Sequence, residues 1–104
     1  MMKILFVCNI GQNRSRTAED LFKDKFETKS AGIYSDANPL TQEKLEWADL
    51  IVVMEHDQEM FIEEHFPKIY DKKQIVCWEI INFYPYGDER LKEILKEKME
   101  DMNS

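Results

Sequence analysis

Ile4-Leu5-Phe6-Val7-Cys8-Asn9-Ile10-Gly11-Gln12-Asn13-Arg14-Ser15 is the stretch whose reading decides the fold. Its first half, Lys3 to Val7, is a short continuous apolar run, the pattern of a strand buried on both faces. Its second half runs straight into a helical pattern over Ser15 to Phe26. There Ala18, Leu21, Phe22 and Phe26 fall on one face. Between them, five residues separate Cys8 from Arg14. A loop of that length closes around a tetrahedral oxyanion, with backbone N–H groups and the guanidinium on the oxygens and the sulfur beneath the central atom.

Outward from this segment, apolar runs alternate with amphipathic ones. Lys29 to Ala31 is expected as a short second strand stopped by Gly32. Asp36-Ala37-Asn38-Pro39 is a loop, and Thr41 caps a short helix reaching Ala48. Leu50 to Met54 is a third buried strand. His56 to Phe66 is helical and ended by Pro67, and Gln74 to Trp78 is the fourth strand. Tyr84-Pro85-Tyr86-Gly87 is a turn. Asp88 to Met102 is a helix with Leu91, Ile94, Leu95, Met99 and Met102 as its apolar stripe. Such alternation predicts βαβ units, a parallel sheet and helices on both faces, a three-layer α/β/α arrangement. Ligands then bind at the carboxyl ends of the strands, where the Cys8 loop lies.

Composition narrows the function. The 104 residues suffice for one domain spanning residues 1–104, and 43% of them are hydrophobic, as in globular chains. A net charge of −7 without a Lys/Arg cluster argues against nucleic acid as a partner. The run Leu50 to Met54 is far too short for a bilayer, so no membrane partner is expected. The N-terminal residues lack signal-peptide features, which points to the cytoplasm. Cys8 and Cys77 are therefore expected as free thiols. His56 and His65 lack partners at metal spacing, so neither a metal nor another cofactor is expected.

The loop residues supply a specific chemistry. The reactive form of cysteine is the thiolate. At Cys8 it is favoured by the following helix N-terminus, by inward N–H groups of Asn9 to Asn13, and by the Ser15 hydroxyl. Arg14 forks onto two oxygens of a phosphoryl group and stabilises a trigonal-bipyramidal transition state. Gly11 frees the backbone to turn inward. The phosphate-binding set is thus Asn9, Ile10, Gly11, Gln12, Asn13, Arg14 and Ser15. The side chains of Asn9 and Asn13 are expected to brace the loop.

Val7-Cys8, five residues, then Arg14-Ser15 resembles the low-molecular-weight protein tyrosine phosphatases. So do Arg16-Thr17-Ala18-Glu19, Ser30-Ala31-Gly32 and the segment Trp47 to Glu55, in order along most of the chain. The likeness is greatest to a compact bacterial branch. The resemblance implies a flavodoxin-like sheet of order 2-1-3-4. It also implies hydrolysis through a phosphocysteine, without a metal, on phosphotyrosine in a protein or on a small aryl phosphate.

Three departures stand out. Gly11 lies one place later than in the family's loop. Asn13 stands where many members carry a second, protective cysteine, and Cys77 is expected to be buried and inert. The family's general acid is an aspartate on a late loop. Alignment on Pro85-Tyr86-Gly87 puts Tyr84 there, and spacing from the fourth strand puts Asn82 there. Neither is a competent acid at neutral pH. Asp88 is the candidate acid, with capping of the last helix as its competing role, and Glu79 is a weaker candidate. Tyr34, Tyr84 and Tyr86 are candidates for an aromatic rim around the site, ordinary loop packing being the alternative. Missing the usual aspartate, the chain also reads as a phosphate- or phosphotyrosine-binding module with little turnover. Arsenate reduction ranks lower, because it needs a relay of cysteines that only Cys77 is available to supply.

Overall fold

The computed structural model describes residues 1–103. Four strands, β1 (Lys3–Cys8), β2 (Glu27–Gly32), β3 (Leu50–Val53) and β4 (Gln74–Cys77), form one parallel sheet of order β2-β1-β3-β4. The helices are α1 (Arg14–Phe22), α2 (Gln42–Trp47), α3 (His56–His65), α4 (Pro67–Lys72) and α5 (Glu89–Asn103).

Alternation along β1 builds the three layers. Ile4, Phe6 and Cys8 face one side with Leu50, Val52, Ala18, Phe22, Leu91, Leu95 and Met99, so α1 and α5 cover that face. Leu5 and Val7 face the other with Ile51, Val53, Leu45, Ile62 and Ile69, so α2, α3 and α4 cover it. Ile4 to Val7 have no exposed surface, as a central strand covered on both faces requires.

Some boundaries differ from the sequence expectation. Helix α1 stops at Phe22, four residues early. The N–H groups of Lys25 and Phe26 both reach the Phe22 carbonyl, at 3.1 Å, in a closing turn. The chain must reverse there, because Glu27 already pairs with Lys3. Strand β2 begins earlier than Lys29. It is an edge strand, so Glu27 and Lys29 remain exposed on it and leave no apolar run to read. Pro67 does more than end α3. It opens α4 as the first helical residue, a position where its missing N–H costs nothing. No helix among the described residues is long and apolar enough to cross a membrane.

Candidate active site

The carboxyl ends of the strands converge on the loop after β1. The Cys8 carbonyl accepts the Ile33 N–H at 3.1 Å and the Asn9 carbonyl accepts that of Tyr34 at 2.8 Å. On the other side the Val7 carbonyl accepts the Met54 N–H at 3.0 Å. Both neighbouring strands thus hold the point where β1 becomes the loop.

Gly11 turns the loop at φ +70°, the left-handed region that disfavours side chains. It lies against Gly32 at the end of β2. A Cβ on Gly32 would stand 2.4 Å from the Ile10 carbonyl carbon and 2.5 Å from the Gly11 nitrogen. The close approach of two backbones is what shapes the loop. Asn38 adds a clamp, its Nδ2 donating to the Gly11 carbonyl at 3.0 Å. Gln58, fully buried on α3, donates to Asn9 Oδ1 at 2.8 Å. Asn9 therefore braces the loop as expected. The Asn13 side chain does not cap α1, and among the described residues it has no hydrogen-bond partner. The first-turn N–H groups of α1 lack intrahelical acceptors, as at any helix start.

Inside the loop Cys8 is 1% exposed. The Gly11 N–H donates to its sulfur at 3.2 Å, and Ser15 Oγ lies 3.0 Å away. Both contacts hold the sulfur at the centre of the loop. Arg14 is equally buried. Its Nη1 donates to Glu55 Oε1 at 2.5 Å and to the Ile80 carbonyl at 2.6 Å. Its Nε and Nη2 are buried and have no acceptor among the described residues. Unpaired buried donors are costly, so this edge of the guanidinium is free to take an acceptor from outside the chain. Nε and Nη2 form the edge that grips two oxygens of one oxyanion.

No protein-family model matches the chain. The protein-arginine-phosphatase of Bacillus subtilis (strain 168) is 31% identical, the match covering 68% of this chain and 67% of that protein. The chain belongs to the low-molecular-weight protein tyrosine phosphatase family. Solved structures agree in fold. A YwlE mutant from Bacillus subtilis superposes with a TM-score of 0.76 at 23% identity over the whole of both chains. The tyrosine phosphatase Wzb from Escherichia coli K30, in complex with phosphate, gives 0.73 at 20% identity over 98% of this chain and 96% of its own.

Around this phosphatase loop, the other expected site residues divide. Tyr34 is 71% exposed, and its backbone is tied to the loop through Asn9. Tyr86 borders a hollow shared with Gln12, Asn13 and Arg16, and its hydroxyl donates to Asp20 on α1. Tyr84 is instead turned partly into the α5 side of the core, stacked edge-on against Phe83. Cys77 ends β4 and is only partly buried, where full burial was expected, and that partial burial pushes its thiol up from the ordinary range.

Asp88 sits immediately before α5. Its Oδ1 accepts the Arg90 N–H at 2.8 Å, and its Oδ2 pairs with the Arg90 guanidinium at 3.2 Å. The side-chain bond from Arg90 holds the carboxyl below its ordinary value. That is a helix-capping environment, and it opposes the raised affinity for a proton that a general acid needs. Asn82 is exposed in the turn that follows Ile80 and Ile81.

Glu55, Gln58, Asn38 and Gly32 carry structural roles in the site that a linear reading of the loop does not give them. Two of them left a local trace, Glu55 as an acid directly after the apolar run Leu50 to Met54 and Gly32 as the stop of the second strand. A second hollow, of about 290 Å³, is lined by Glu55, His56, Asp57, Glu79 and Ile81. Glu79 adopts φ +53°, a strained value for a residue with a side chain, and its carboxylate lies 3.4 Å from His56 Nε2.

Proposed function

We propose that the chain hydrolyses phosphorylated protein side chains through a phosphocysteine at Cys8, with phosphotyrosine as the substrate. One observation carries this reading: the buried, unpaired Nε and Nη2 of Arg14 beside a sulfur held by Gly11 N–H and Ser15. In the first step the Cys8 thiolate attacks phosphorus in line, the S–P bond forms and the P–O bond to tyrosine breaks. Arg14 and the loop N–H groups carry the charge on the three equatorial oxygens. With Asp88 engaged by Arg90, the leaving oxygen takes its proton from water. A second water then attacks phosphorus, the S–P bond breaks, and inorganic phosphate and the thiolate are released.

A second substrate, phosphoarginine, is favoured by two observations. The Bacillus subtilis relative is a protein-arginine-phosphatase. The hollow that includes Glu55 also carries Asp57 and Glu79, an acidic wall suited to a guanidinium.

Turnover of p-nitrophenyl phosphate by the wild type and by Cys8→Ser tests the chemistry. Equal rates in the two would end the reading. The ratio of kcat/KM on matched phosphotyrosine and phosphoarginine peptides then decides the substrate. Asn82→Asp tests the proton source. It should raise turnover of phosphotyrosine at least about tenfold while leaving p-nitrophenyl phosphate, whose leaving group needs no acid, nearly unchanged. Fast phosphotyrosine hydrolysis by the wild type with no gain in Asn82→Asp would show that another group already donates the proton.

A further inference from the structure

The molecule carries seven net negative charges, yet one of its hollows gathers three cations. A hollow of about 330 Å³ is lined by Arg16, Lys29 and Lys44 around Glu19, Ser30 and Asn38. Among the described residues none of its three cations is in an ion pair. Lys44 Nζ donates only to neutral oxygens, Asn38 Oδ1 at 2.8 Å and the Pro39 carbonyl at 2.7 Å. Lys29 Nζ lies over the Trp47 ring, 4.6 Å from its centre. The single carboxylate, Glu19, already accepts the Ser30 hydroxyl at 2.5 Å. Burial, and then the charge of Lys29, hold the Lys44 amine below its ordinary value, against the smaller opposing pull of Glu19. An anion entering between the cations would relieve that repulsion.

The hollow adjoins the phosphate loop. Asn38, on its floor, donates to Gly11 in the loop. Arg16, on its wall, also borders the neighbouring hollow formed with Gln12, Asn13 and Tyr86. A polypeptide whose phosphorylated residue enters the loop would carry neighbouring side chains across this surface, because each extended residue advances only about 3.3–3.6 Å.

We infer that the Arg16–Lys29–Lys44 hollow is a substrate subsite for an anionic side chain, a carboxylate or a second phosphoryl group, near the phosphorylated residue of the target protein. The inference rests on the phosphatase reading above and selects among protein substrates in favour of acidic sequences. It also gives an acidic enzyme a local means of attracting an acidic target.

The test uses peptides bearing whichever phosphoresidue the wild type turns over, with flanking glutamates, flanking alanines or one flanking phosphoserine. Lys29 is the residue to change, because its side chain lies over the Trp47 ring and, among the described residues, makes no hydrogen bond or ion pair. The wild type should favour the glutamate peptide over the alanine peptide by roughly 3- to 10-fold in kcat/KM, through KM, at low salt. The phosphoserine peptide should gain at least as much. Lys29→Glu should erase or invert both preferences, and Lys29→Arg should keep them. Turnover of p-nitrophenyl phosphate should be the same in all three proteins. A wild type without preference, or a preference that persists in Lys29→Glu, overturns the inference while leaving the phosphatase reading intact. If p-nitrophenyl phosphate is not turned over, the catalytic reading fails. Fluorescence anisotropy of the same peptides on Cys8→Ser, with and without Lys29→Glu, then decides the subsite by the same 3- to 10-fold criterion.

Discussion

Arg14 is 1% exposed, and its only charged partner among the described residues is Glu55 at 2.5 Å. Glu55→Gln removes that charge and almost no volume. Breaking a fully buried pair costs about 3–5 kcal/mol, because the remaining charge is left uncompensated. Glu55 itself is 36% exposed, and water there screens part of the loss, which brings the expected cost to about 1–3 kcal/mol. For a chain of this size that is a fall in Tm of roughly 5–20 °C. Inorganic phosphate supplies the negative charge that the substitution removed. It binds the folded state alone and stabilises it by RT ln(1 + [L]/Kd). Phosphate should therefore raise the Tm of Glu55→Gln by more than it raises that of the wild type. Thermal unfolding of both proteins with and without 10 mM phosphate, roughly saturating for a millimolar site, reads both effects. A variant that melts within about 2 °C of the wild type, with an equal phosphate shift, would refute the dependence of Arg14 on Glu55.

Three further outcomes are expected. Gly32→Ala places a Cβ 2.4 Å from the backbone of Ile10, so the loop must move, and kcat should fall about 100-fold; a p-nitrophenyl phosphate assay showing full activity would contradict the backbone contact. Asp88→Asn removes a carboxylate whose folded pKa is lowered by Arg90, so the wild type's advantage in urea unfolding should be present above the ordinary value of 3.8 and disappear as pH falls through the lower folded value. An advantage that stays constant down to pH 2, roughly two units below the ordinary value, would speak against the pair. Cys77→Ser should retain activity within about twofold, and iodoacetamide at neutral pH should label Cys8 well before Cys77, whose thiol is pushed up by burial; mass mapping of the adducts checks the order.

Much of the architecture was legible because its signals are local. The apolar runs of β1 and β3 are buried on both faces, and their shortness with β-branched residues favours a strand. The Leu91–Met102 stripe announced α5 by its period alone. Misplaced boundaries fell where competing contacts win: the closing turn at Phe22, the polar edge strand β2, and Pro67, which both ends one helix and starts another.

The Cys8–Arg14 spacing, the strand before it and the helix after it all lie between Lys3 and Phe22, so the sequence by itself was enough to single out the proposed nucleophile and anion cradle. Tertiary structure alone decided how they are held. Glu55, Ile80, Asn38, Gln58 and Gly32 reach the loop from 21 to 66 residues away along the chain. Only the parallel sheet, which brings every strand's carboxyl end to one edge, makes them neighbours. The same applies to Asp88. Its acidity was visible in the sequence, but its engagement by Arg90 depends on side-chain geometry at the start of α5. Arg16, Lys29 and Lys44 likewise stand far apart in a chain of net negative charge, and their common hollow exists only because α1, β2 and α2 pack side by side.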